Sequence, residues 1–310
     1  HVVFALLPLV AYAIYNFGWS ALLVITVSTG SAVGVEFLYN RITSREQSIG
    51  DYSAVITGIL LGLTLPPGFP LWMTFVGGAM AVLLGKMIFG GLGSNPFNPA
   101  LVGRAFLQTA FPAAMTTWTD ALRPDRWSVL NPGTLAWPLL QPSVDGTAGA
   151  TPLSAFKFGH VSTPVHDLFL GGVSGSAGET ATLLILLCGT YLAVRRMLDW
   201  RIPVGVLVSA AVLSALLHGL HPQYPSALFS LTSGGLALGA VFMATDMATS
   251  PVTPLGTWIY SIFIGLLVVT IRIWGGLCEC VMYVILLANA ITPLLNRWCM
   301  PRVYGTRRRP

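Results

Sequence analysis

Apolar runs of near-spanning length follow one another along most of this chain. Each is closed by proline, glycine or charge, and one long polar interval, from about 116 to 178, interrupts them. The runs predict about ten hydrophobic helices, at roughly 2–16, 19–39, 53–66, 71–89, 99–116, 179–195, 203–220, 225–244, 257–273 and 277–296. Several are short for a full crossing, which predicts broken or tilted helices. The expected fold class is an all-α polytopic membrane protein. Composition agrees, since 54% of the 310 residues are hydrophobic and 9% are charged, where a soluble domain carries about 25% charged residues.

The polar interval divides the runs into five and five, and the two sets echo each other. Thr64-Leu65-Pro66-Pro67-Gly68-Phe69-Pro70-Leu71-Trp72 resembles Thr249-Ser250-Pro251-Val252-Thr253-Pro254-Leu255-Gly256-Thr257-Trp258, and one run later Phe89-Gly90-Gly91-Leu92-Gly93 resembles Trp274-Gly275-Gly276-Leu277-Cys278. In a ten-span topology the partners of each echo fall on opposite sides of the bilayer, the pattern of an inverted repeat. The expected division is a first transmembrane repeat at 1–116, a loop at 117–178, a second repeat at 179–296 and a basic tail at 297–310. Gly90 to Pro99 holds three glycines and two prolines, so no continuous helix can pass through it. Half-helices starting at Asn98 and after Pro254 would aim backbone N–H groups at an anion or a flavin edge, or simply close a tight turn.

Basic residues orient the bundle. With both termini inside, twelve of the sixteen lie on the inner side: Arg41, Arg45, Lys86, Arg104, Arg195, Arg196, Arg201, Arg297, Arg302, Arg307, Arg308 and Arg309. Arg123, Arg126, Lys157 and Arg272 remain outside, with the long loop. The net charge of +5 is therefore mostly membrane-flanking, suited to anionic lipid headgroups, and nothing in it has the basic face of a nucleic-acid binder.

Inside the loop runs Asp145-Gly146-Thr147-Ala148-Gly149-Ala150-Thr151-Pro152-Leu153. Five small residues leave the backbone bare to a bulky planar or phosphorylated group, Thr151 offers a hydroxyl, and Pro152 stiffens the chain after it. The run resembles the covalent flavin-attachment motif of the RnfD and NqrB family, of the type D-x-x-(S/T)-(G/S)-A-T, and the hydrophobic segments from Leu6 to Leu295 resemble the same family. The resemblance implies FMN held through a phosphoester on Thr151, with Asp145, Gly149 and Ala150 completing the motif. It further implies a subunit of an ion-translocating ferredoxin:NAD⁺ oxidoreductase in the bacterial inner membrane, with the flavin loop periplasmic and both termini cytoplasmic. Implied partners are iron–sulfur subunits, a nucleotide-binding subunit and a second flavinylated subunit. A non-covalent riboflavin, known in the NqrB branch, is an expectation without mapped residues. NqrB proteins have a longer N-terminal region than this chain, whose first helix, from His1, reads as truncated, so the compact chain looks more like RnfD.

The remaining polar residues fill in the picture. Glu36 falls within the second run, and intramembrane carboxylates often mark ion paths, so Glu36 and Asp246 are candidates for a proton or Na⁺ route. Asp51 and Glu179 each lead into a run and read as solvated caps. No histidine lies mid-run, against a b-type haem, and Cys188, Cys278, Cys280 and Cys299 read as apolar cysteines rather than metal ligands. Trp118, Trp127 and Trp137 suit an interfacial belt or the packing of a flavin ring. Walker, H-E-x-x-H and dinucleotide-binding motifs are missing, so redox chemistry would fall to a held carrier. A stand-alone channel with half-helices, prompted by Asn98-Pro99-Ala100, and a structural scaffold are the rival readings.

Overall fold

The computed structural model of the protein describes residues 1–131, 133–138, 150–159 and 161–300. Asp145 and Gly149 lie outside the described residues, as do Arg302 and Arg307 to Arg309.

The chain folds as an all-α membrane protein. Before the polar interval come α1 (Val2–Phe17), α2 (Trp19–Ile42), α3 (Ser53–Thr64), α4 (Leu71–Val82, continued by a π-helical turn at Leu83–Met87), α5 (Pro99–Ala110) and α6 (Pro112–Met115). The interval contributes α7 (Pro152–Gly159) and α8 (Val165–Leu170). After it come α9 (Thr182–Val194), α10 (Arg201–Leu220), α11 (Ala227–Thr232), α12 (Leu236–Leu238, continued by a π-helical turn at Gly239–Met243), α13 (Pro254–Trp274) and α14 (Val281–Trp298). Of these α2, α10, α13 and α14 are long and apolar enough to cross a bilayer, and α1, α3, α4 with its π turn, and α9 are shorter apolar helices.

The breaks have local causes. The helix expected over 99–116 stops at Ala110, because Pro112 has no N–H to continue the ladder and starts the short α6. The one expected over 225–244 is split at Ser233-Gly234-Gly235, where Gly234 takes φ +64°, a left-handed turn that a side chain would strain. The last begins at Val281 rather than 277, leaving Gly275 to Cys280 as a non-helical connector. Asn98 does begin a helix: its Oδ1 accepts from the N–H groups of Ala100 and Leu101, with Pro99 in the first turn. Thr253 caps α13 through Gly256 in the same way, with Pro254 at its start.

Small residues let the helices close on one another, as is common where lipid gives no hydrophobic drive to association. A Cβ added to Gly58 of α3 would lie 2.4 Å from Cα of Thr29 on α2, and Ser28 Oγ donates to the Gly58 carbonyl at 2.8 Å. In the second half, Gly265 of α13 meets Ser209 of α10 with equally little room.

The polar interval is woven into one end of the bundle. Leu122 N–H donates to Asn16 O, Leu71 N–H to Thr134 O, and Ala177 and Gly178 donate to the carbonyls of Leu65 and Leu63. The chain entering α9 is thus strapped across the end of α3. The opposite end gathers the C-terminal ends of α2, α9 and α14 and the starts of α3, α5, α10 and α13, together with Arg41, Arg45, Lys86, Arg195, Arg196, Arg201 and Arg297. Arg104 departs from the expected arrangement. It is 6% exposed inside the bundle, and its guanidinium reaches the connectors at the Thr151 end, so it is not part of the inner basic flank.

Candidate flavin attachment site

Thr151 directly precedes α7, and its Oγ1 accepts from the Ser154 N–H at 3.3 Å while its carbonyl accepts from Ala155 N–H at 2.8 Å. This is the hydrogen bonding of a helix cap, with Pro152 in the first turn where its missing N–H costs nothing. Ser154 Oγ, 3.1 Å from Thr151 Oγ1, also donates to the Thr151 carbonyl at 2.9 Å. A phosphate esterified to Thr151 would stand at the start of a two-turn helix, where backbone N–H groups and the dipole favour an anion. Thr151 is 4% exposed, whereas Ala150 before it is exposed.

Two cavities flank this helix. One, of about 20 Å³, is bordered by Thr151, Ser176, Glu179, Thr180, Gly234 and Glu279. The other, of about 280 Å³, has aromatic and aliphatic walls from Phe156 of α7, Tyr224, Phe229 of α11, and Val269 and Ile273 of α13. Phe156 and Phe229 pack with centroids 5.0 Å apart and their planes tilted by 39°. Lys157 and Arg272 bring cations to the same cavity. Lys157 Nζ donates to the carbonyls of Arg272 and Gly275, and the Arg272 guanidinium to those of Ser230 and Ser233, so both hold the last turn of α13 and the α11–α12 break in place. An apolar, aromatic-walled space with two cations beside a capped threonine suits a planar, electron-accepting ring on an anionic tether.

Beneath Thr151 lies a buried triad. Arg104 of α5 reaches Glu179 through Nη1 and Glu279 through Nη2, the latter at 3.0 Å. Ser176 Oγ donates to Glu179 at 2.9 Å. Glu179 packs against bare backbone at Gly235, where a Cβ would come within 2.7 Å of its carboxyl carbon. Glu179, expected to be a solvated cap, is instead 5% exposed and charge-paired, because the strap from Ser176 to Ala181 is folded under the loop. Glu279 sits in the connector before α14. Burial, then repulsion from Glu179, outweighs the attraction of Arg104 and Arg272 and lifts its carboxyl to about 7.

The opposite end holds a different cluster. Glu36 of α2 is fully buried and takes two bonds from Lys86 Nζ, at 2.7 and 2.8 Å, with Ser48 donating to the same carboxylate. Lys86 also reaches Ser53 Oγ at 2.5 Å, and Asp51 Oδ2 stands 3.9 Å away. Asp51 does cap, accepting from the Ser53 N–H at 2.7 Å. The π turn of α4 carries Lys86 onto a cavity of about 520 Å³, also lined by Asp51, Asn95, Asn98, Thr245 and Asp246. Glu36 and Asp246 make no direct contact; Lys86 is the side chain that joins Glu36 to the cavity bordered by Asp246. Asp246 Oδ1 accepts from Ala248 N–H at 3.2 Å, and burial raises its carboxyl above the ordinary range. The Asn98 amide is committed, capping α5 and donating to Met243 O at 3.3 Å.

Trp118 is largely buried, while Trp127 and Trp137 are exposed at the Thr151 end, with Trp127 edge-on to Trp19. Reading along the chain takes Arg104 and Lys86 as basic flank and Glu179 as a cap, and passes over Glu279. A signal was available for Lys86, since opposite charges within apolar runs, here Lys86 and Glu36, are stable only as partners.

The family model for the NQR2, RnfD, RnfE family matches residues 1–305. The D subunit of the ion-translocating oxidoreductase complex of Stutzerimonas stutzeri is 42% identical over 325 aligned positions, covering 98% of this chain and 90% of that protein. The D subunit of the Na⁺-translocating ferredoxin:NAD⁺ oxidoreductase complex of Acetobacterium woodii is 39% identical, with 98% and 89% covered. Its counterpart in the proton-translocating ferredoxin:NAD⁺ oxidoreductase complex of Clostridium ljungdahlii is 37% identical, with 98% and 90% covered.

Proposed function

The chain belongs to the NQR2, RnfD, RnfE family, and from that premise we propose that it is the RnfD-type member of an ion-translocating ferredoxin:NAD⁺ oxidoreductase complex, carrying electrons through FMN esterified to Thr151. The observation that carries this reading is the setting of Thr151: a helix-capping hydroxyl at the rim of a cavity, in an A-T-P sequence, with an aromatic-walled space and two cations nearby. The names borne by the relatives favour the Rnf type over an NqrB-like subunit of a quinone reductase.

FMN, when bound, passes electrons singly or in pairs. The protein's part is to hold it. Thr151 would hold the phosphate at the start of α7, beside the Ser154 N–H that its Oγ1 accepts from, and Phe156 and Phe229 would offer a surface for the ring. Lys157 and Arg272 lower the cost of negative charge arriving there. Iron–sulfur subunits and a second flavinylated subunit are the electron partners in this proposal, and lipid surrounds the bundle. The Thr151 end faces the periplasm across the bacterial inner membrane, with the arginine-rich end and both termini in the cytoplasm. The cavity of about 520 Å³ at the cytoplasmic end is the proposed site of a non-covalent riboflavin, on the ground of its size. Glu36 and Asp246 remain the proposed H⁺ or Na⁺ route. Replacing Asp246 by Asn should stop ion transport by the reconstituted complex while flavin reduction persists, and unimpaired transport would reject that role.

The attachment is tested by in-gel ultraviolet fluorescence of denatured protein made with its complex. Wild type should fluoresce and Thr151→Ala should not; a dark wild-type band, or a fluorescent alanine variant, overturns the assignment.

A further inference from the structure

The triad under Thr151 is more than a structural clasp. Among the described residues, Arg104 is the one cation hydrogen-bonded to two carboxylates, and both carboxylates border the same cavity as Thr151. That cavity, about 20 Å³, has room for one water. Thr180, 6% exposed, lines it with a buried hydroxyl that has no partner among the described residues, which a water held between it and the two carboxylates would satisfy. The two acids differ. Glu179 is 5% exposed and held by both Ser176 and Arg104, whereas the Glu279 side chain is 18% exposed and held by Arg104 alone. Glu279 is therefore the acid whose charge is easier to lose. The groups around it are Arg104 from α5, Glu179 ahead of α9, Arg272 from α13, Tyr283 from α14, and Cys278 and Cys280 beside it in the chain, with Lys157 of α7 beyond them at the end of α13.

Resting on the flavin reading of Thr151, we propose that Glu279 is a redox-linked proton site, taking up one proton from the Thr151 face when an electron reaches the flavin and returning it when the electron leaves. The balance is simple. An iron–sulfur cluster or flavin of a partner subunit gives one electron and is oxidised, the ring is reduced, and the carboxylate takes one proton from hydronium at the outer face, forming a neutral acid and water. The negative charge gained by the ring in the aromatic-walled cavity is compensated across α7 by the proton on Glu279, in surroundings where low dielectric makes an uncompensated charge costly. On reoxidation the O–H bond breaks and the proton goes back to water. Arg104 and Glu179 are positioning residues for this exchange: together they form a neutral pair against which Glu279 gains or loses its charge.

Two infrared measurements test it, with the flavin checked first by gel fluorescence. In Thr151→Ala protein, which lacks the proposed ester, a protonated-carboxyl C=O band should disappear on titration through about pH 7, and E279Q should abolish that band. In the flavinylated complex, reduction should produce a positive carboxyl band that E279Q removes and E279D restores at a shifted frequency. A fluorescent wild type whose redox difference spectrum matches that of E279Q overturns the proton site and leaves the flavin assignment standing. A dark wild type overturns the flavin assignment by itself. If E279Q fails to assemble, E279D decides: an unshifted band excludes residue 279 as its source.

Discussion

The two ends of the bundle each bury a lysine or arginine among carboxylates, and they solve the same electrostatic problem differently. At the arginine-rich end, Lys86 hydrogen-bonds one carboxylate, Glu36, with Asp51 3.9 Å away and Ser48 and Ser53 supplying the remaining bonds. At the Thr151 end, Arg104 is shared by Glu179 and Glu279. In the first, the hydrogen-bonded pair is itself neutral, as burial in an oily interior demands. The second leaves a carboxylate incompletely compensated, next to the hydroxyl proposed to carry the cofactor. The contrast separates an acid matched by its own hydrogen-bonded cation from two acids that share one.

The sharpest way to break the comparison is to remove the cation at each end. Arg104→Met strands two buried carboxylates and should cost at least the about 3–5 kcal/mol typical of breaking a buried pair. Thermal unfolding of the detergent-solubilised complex should show the larger fall in this variant. Lys86→Met should cost about 3–5 kcal/mol, because one carboxylate, Glu36, is left alone in the bundle. Adding Glu36→Leu to Lys86→Met should recover most of that loss, since apolar replacement of a whole buried pair is often neutral. A double variant as unstable as the single would mean that the pair does not act as a unit.

A milder effect is expected from pH. The Glu279 carboxyl is raised from 4.5 in the unfolded chain to about 7 in the fold, so the folded state binds the extra proton between those values. Its contribution is most favourable below 4.5 and is lost as pH rises through about 7. E279Q should flatten that part of the stability profile, and an unchanged slope in E279Q would contradict the assignment. The smallest effect is Ser53→Ala, which deletes the bond from Lys86 and the one to Asp51 and should cost about 1–2 kcal/mol in the same melting assay.

Much of this was legible along the chain. Hydrophobic runs closed by Pro and Gly located the apolar helices to within a few residues, because glycine and proline act locally on the backbone and need no tertiary partner to end a helix. Thr151 stands out in the sequence by its small neighbours, and in the fold it sits at the start of α7. The triad was not legible. Arg104 lies 75 positions from Glu179 and 175 from Glu279, and only the folding of the loop across the bundle brings them together. Charge counting placed Arg104 on the inner flank because it weighs position along a run, not where a long side chain reaches. Glu179 read as a cap for the same reason: a helix N-terminus favours an acid whether solvent or an arginine stands beyond it.

The account rests on a covalent bond at one hydroxyl, and mass spectrometry of the peptide containing Thr151, from protein purified within its native complex, tests it directly. The expected result is a fragment series in which Thr151 carries the added mass of FMN. A peptide recovered only in unmodified form, or an FMN adduct localised to a different residue, would contradict it.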